Sequence, residues 1–119
     1  MKKVIFTILI LFLMTIGCQS KNNPPDTPSI PIGDSIGIVN NFYTFSSHAS
    51  DINNDRVAIR FTWGDGDTTQ WSFFGAPDSV ITKNHSWSNA GYYYIKAQAK
   101  DEHDELSNWS GGHQIFISN

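Results

Sequence analysis

Residues 56–74 read RVAIRFTWGDGDTTQWSFF, and this stretch decides the fold. Val57, Ile59, Phe61 and Trp63 alternate with Arg56, Ala58, Arg60 and Thr62. A period of two puts the first set on the inner face of a strand and the second set on the outer face. Gly64-Asp65-Gly66-Asp67 follows at once. Asp-Gly supplies the positive φ that tight hairpin turns require. The pattern therefore predicts that the strand stops there and that residues 68–74 return as its partner.

The same signal recurs outward from this stretch. Residues 41–46 place Tyr43 and Phe45 on one face, and residues 79–87 read as a further strand. Between Tyr92 and Lys100 the inward set is Tyr93, Ile95, Ala97 and Ala99; the outward set is Tyr92, Tyr94, Lys96, Gln98 and Lys100. Residues 113–118 point Ile115 and Ile117 inward. No window after residue 18 carries a helical period. About seven short strands separated by turn residues predict an all-β, immunoglobulin-like sandwich. A domain this small buries only about 60–65% of the surface of its unfolded chain. Cys18 is the only cysteine, so no intramolecular disulfide assists it. Aromatic side chains must carry much of the core, with Phe45, Phe61, Trp63, Trp87 and Tyr93 as candidates.

Two motifs carry a family resemblance. Phe61-Thr62-Trp63-Gly64-Asp65-Gly66 is similar to the aromatic-Asp-Phe-Gly-Asp-Gly motif of the PKD domain, with Thr62 in place of the Asp. His85, Trp87, Gly91, Tyr93, Ile95, Ala97, Ala99 and Asp101 fit that family's second motif in register. The resemblance spans roughly residues 26–118 and implies an immunoglobulin-like sandwich of extracellular and surface proteins; a fibronectin-like sandwich is the alternative. It also implies a calcium site in some members. Carried over residue by residue, that site is Asp51, Asn53, Asp101 and Asp26. Asp51-Ile52-Asn53-Asn54-Asp55 does place oxygen ligands at alternate positions, as calcium loops do. The same residues also suit a solvated turn that needs no metal.

The N-terminus indicates where the chain goes. Lys2 and Lys3 precede Val4–Ile16, an apolar run interrupted only by Thr7 and Thr15. It is shorter than the roughly 20 residues that span a bilayer and fits the h-region of a signal peptide. Ile16-Gly17-Cys18 ends it and resembles the bacterial lipobox, with Thr15 where Leu is usual. The expected organisation is a lipoprotein signal over 1–17, a lipid-anchored Pro-rich linker over 18–31, and a PKD-like sandwich over 32–119. Cys18 is the expected acylation site and the membrane the expected partner. Gln19, rather than Asp, follows the cysteine, which favours the outer membrane or cell surface over the inner membrane.

Residues 1–17 carry two of the eight Lys+Arg and no acid. The remainder has six cations against eleven acids, a formal net charge of −5. No basic patch stands out, so no nucleic-acid partner is expected. Nothing in the chain matches HExxH, G-x-S-x-G or a phosphate-cradling glycine loop. Ser86 and His85 are adjacent on a strand and point to opposite faces, which rules them out as a nucleophile–base pair. The expectation is a non-enzyme. Tyr92 and Tyr94, with Trp71 from a neighbouring segment, are the candidate contact for a protein or glycan. The alternative is a structural spacer with no ligand of its own.

Overall fold

The computed structural model describes residues 21–119. Six strands follow one another: β1 (Ile36–Ile38), β2 (Tyr43–Ser47), β3 (Val57–Thr62), β4 (Ile81–His85), β5 (Gly91–Asp101) and β6 (His113–Ser118). One sheet has the order β1-β6-β5-β3, and the other pairs β2 with β4. All ladders are antiparallel except β1 on β6. The architecture is the all-β sandwich that the alternation predicts.

The inward faces agree with the sequence pattern. Ile59, Phe61, Trp63, Ile95, Ala97, Ala99, Ile115 and Ile117 are buried in one cluster with Phe45 and Trp87. Trp63 lies at its centre. Its ring stacks on Phe61 at 5.6 Å and on His85 at 4.7 Å, and it meets Trp87 edge-on at 6.2 Å. Trp87 Nε1–H donates to the carbonyl of Trp63 at 3.1 Å, so the one polar atom of the buried Trp87 side chain is satisfied. The turn after β3 uses Gly64 and Gly66 at φ 82° and 100°. A Cβ on Gly64 would come within 2.8 Å of the Tyr94 backbone, so both conformation and space demand glycine.

Two segments, one expected to be a linker and one a strand, adopt another form, and a third segment shares their device. The proline-rich stretch does not leave the domain as a spacer. Asp26, Ser29 and Ile32 donate their N–H groups to the carbonyls of Ser50, His48 and Ser46, along β2 and its extension. Pro25, Pro28 and Pro31 each immediately precede one of these donors and are buried, whereas Ile30 and Ile32 are exposed. Three residues per repeat is the period of polyproline II, so each proline turns inward and each following N–H reaches the strand. From Asp26 onward the expected linker is therefore part of the sandwich.

Residues 68–74 likewise form no ladder strand with β3. Thr69, Ser72 and Gly75 donate to Phe61, Ile59 and Val57, again three residues against two. The hydroxyls of Thr69 and Ser72 accept the N–H groups of Phe61 and Ile59. Ser107 and Ser110 repeat this on β5, taking the N–H groups of Ala99 and Ala97. A hydroxyl stands in for the carbonyl that a period-three segment cannot present at every strand position. Each sheet edge so covered is closed to edge-to-edge pairing.

The two hydroxyl-bearing segments also roof part of the outer sheet face. Trp71 and Trp109 close on Arg60 from either side, at 4.5 and 5.2 Å. Gln98 Oε1 accepts from both Nε and Nη2 of Arg60. Ala58 and Gln98, outward by alternation, are consequently buried.

Candidate functional site

Two regions collect the residues that the sequence singles out. The first is the open half of the outer sheet face. Tyr92 and Tyr94 on β5 are 65% and 52% exposed, as the alternation predicts. Register decides what lies beside them. Tyr92 sits opposite Phe116 of β6, and Phe116 sits opposite Ile36 of β1. The Tyr92 and Phe116 rings pack at 4.7 Å. Ile36 is 73% exposed, and Ile38 beside it on β1 is also open to solvent. Side chains on neighbouring strands thus form one apolar strip across β1, β6 and β5. Gln114, the partner of Tyr94, and Lys96 border it with polar groups.

Trp71 does not extend this strip. It lies over Arg60 of β3 and Lys100, at the other end of β5. Phe116 takes the place expected of it. The outward position of Phe116 was readable from the alternation of residues 113–118; its position beside Tyr92 was not, because only the β5–β6 register sets it.

The second region is one end of the sandwich, where the β2–β3 loop, the β5–β6 loop and the N-terminal segment meet. Asp51 is buried, and its Oδ1 accepts the N–H groups of Asn53 at 2.8 Å and Asp55 at 3.3 Å. This is an Asx turn that fixes the loop. Asp101 ends β5 fully buried. Its Oδ1 accepts from His103 N–H and Glu105 N–H, and its Oδ2 accepts from the Asn22 amide at 2.8 Å. Burial opposes its ionisation, but these three donors prevail and hold its pKa below the ordinary value of 3.8.

The other two residues of the implied calcium set are engaged elsewhere. Asn53 Oδ1 accepts from Asn23 N–H, and Asp26 Oδ2 accepts from the Ser50 hydroxyl. The residues whose ligand atoms do converge, within 4.8 Å of one another, are Asp55, Asp101 and His103. Asp55 closes the loop that the spacing argument began at Asp51. His103 lies in Asp101–Glu105, which reads in sequence either as a surface cation site or, more simply, as a solvated loop.

A further group of Asp65, Asp67 and His85 gathers at the Gly-Asp-Gly turn. His85 Nε2 is 2.7 Å from Asp65 Oδ2 while its ring stacks on Trp63, so this pair ties the turn to the core. Cys18 and the expected signal over 1–17 lie outside the described residues. Among the described residues no helix is long and apolar enough to cross a membrane.

No protein-family model and no curated protein matches the chain. Solved structures do. The PKD domain of an M14-like peptidase from a Thermoplasmatales archaeon superposes with a TM-score of 0.76 at 27% identity, over 83% of this chain and all of that one. The CARDB domain of a Pyrococcus furiosus protein, solved in complex with di-metal ions, superposes at 0.57 with 16% identity, over 83% of this chain and 98% of that one. The solution structure of that CARDB domain gives 0.55 at 16% identity, over 79% and 95%. The fold of this chain is that of a PKD-like, immunoglobulin-type sandwich.

Proposed function

We propose that the chain is a non-catalytic display module of the cell envelope, anchored through lipid on Cys18, whose outer sheet face contacts a protein or a carbohydrate. The observation that carries this reading is the contiguity of Ile36, Phe116 and Tyr92 across three neighbouring strands, with Tyr94 beside them. Exposed apolar residues are normally scattered over a protein surface; a joined strip with a polar border is the pattern of a contact site. Release of water from the strip drives the contact, and the aromatic rings supply flat surfaces for a pyranose ring or a partner side chain.

Exchanging both tyrosines, Tyr92→Ala with Tyr94→Ala, is expected to leave the β-sheet circular dichroism unchanged and to weaken retention by envelope polysaccharide or envelope protein at least about tenfold, the loss of one hot-spot contact. A folded double variant that binds as well as the parent would establish the spacer reading instead. An unfolded one would place the tyrosines in the core.

Anchoring has its own test. The sole cysteine follows an h-region, so Cys18→Ser is expected to abolish incorporation of labelled palmitate and to alter precursor processing. Once attached, each buried CH₂ of the acyl chains contributes about 0.8 kcal/mol of membrane affinity. An unlabelled wild-type chain would remove the lipid anchor from the proposal. Gln19 after the cysteine supports placement in the outer membrane or at the cell surface.

A further inference from the structure

The end of the sandwich holds two carboxylate oxygens with no hydrogen-bond partner among the described residues. They are Asp51 Oδ2 and Asp55 Oδ2, both buried, and of the two only Asp55 belongs to the converging group. A buried, unpartnered carboxylate oxygen is costly, and a bound cation is one of the few groups that relieves it. Asp55 Oδ2 faces His103 Nδ1 at 3.4 Å. That is too long for a good N–H···O bond, which lies at about 2.7–3.2 Å. It matches the separation of two ligand atoms around a tetrahedral zinc ion, about 3.3 Å for bonds of about 2.0 Å. Asp101, fully buried and held ionised by three donors, supplies the third ligand atom within reach. An open cavity of about 290 Å³ beside the group is lined by Lys21, Asn22, Asn53, Asp55 and His103 and leaves a further coordination position accessible.

The donor set does not suit calcium. Calcium takes six to eight oxygens. Here only two carboxylates converge, and they do so with an imidazole nitrogen. Imidazole with carboxylate suits zinc and its neighbours in the transition series.

We propose that Asp55, Asp101 and His103 form a binding site for a zinc-class divalent cation, and that the ion fastens the β2–β3 and β5–β6 loops together where the N-terminal segment crosses them. Asn22 already bonds Asp101, so the ion would stiffen the point at which the chain departs toward residues 1–20. Ligands from two distant parts of the chain close a long loop on one centre, so binding stabilises the folded state in proportion to the ion's affinity.

The test uses the full chain in detergent, stripped with chelator and returned to zinc or calcium alone. Micromolar zinc is expected to raise Tm by about 5 °C, the shift that a saturating ligand of moderate affinity gives a domain of this size. Calcium at the same concentration is expected to leave Tm unchanged. Zinc is also expected to shift the ring resonances of His103. The His103 side chain is 57% exposed, so His103→Ala keeps the metal-free Tm and loses the zinc shift. Three results overturn the proposal: a calcium shift that survives His103→Ala, a zinc shift that survives it, or no shift with either ion.

Discussion

Trp63→Ala is expected to lower the unfolding free energy by about 3–5 kcal/mol, a large share of what a small domain has. Trp63 touches both sheets. It stacks on Phe61 of β3 and His85 of β4 and meets Phe45 of β2 at 5.9 Å. Its removal deletes packing on both sides, and the surrounding rings can close only part of the gap. Trp87, whose indole N–H binds the Trp63 carbonyl, and the ring pair of His85 then lose their fixed seat. Urea unfolding followed by far-ultraviolet circular dichroism measures the effect. A loss below about 1 kcal/mol would mean that the inner and outer faces of β3 are inverted.

Asp101→Ala is expected to be nearly as damaging, about 3 kcal/mol measured in chelator, for a different reason. The residue fills little of the core. Its carboxylate accepts from His103 N–H, Glu105 N–H and Asn22, and alanine leaves all three donors without that acceptor. The β5–β6 loop and the N-terminal segment loosen together. The same residue gives the domain a pH dependence of fixed sign. Because the folded pKa lies below 3.8, the unfolded chain takes up the proton first. The stabilisation is complete above the unfolded value and is lost as the pH falls through the folded one. Unfolding free energies of the wild type and Asp101→Asn are therefore expected to differ at pH 7 and to converge in acid, once the pH lies below the folded pKa. A gap that stays constant from pH 7 into acid would show that the charge of Asp101 contributes nothing.

The sequence by itself determined the two-faced strands. Val57, Ile59, Phe61 and Trp63 face inward, as do Ile95, Ala97, Ala99, Ile115 and Ile117, because a strand's period is set by local backbone geometry. Tyr92 and Tyr94 are outward for the same reason. The Gly-Asp-Gly turn was legible because positive φ is a property of the residue itself. Two kinds of feature were decided only by tertiary structure. The first is the covering of the edges. Pro25, Pro28 and Pro31, Thr69 and Ser72, and Ser107 and Ser110 all recur at intervals of three. That period marks an extended, period-three chain but not the strand it will lie against. Whether a hydroxyl replaces a carbonyl depends on which backbone N–H groups a distant strand leaves open. The second is the assembly of the sites. Phe116 joins Tyr92 through the β5–β6 register, and Asp55 meets Asp101 and His103 through the closing of two loops. Side-chain direction is local and can be read from spacing. Adjacency between segments far apart in the chain is not local: it follows from the hydrogen-bond register and from the burial of a shared core.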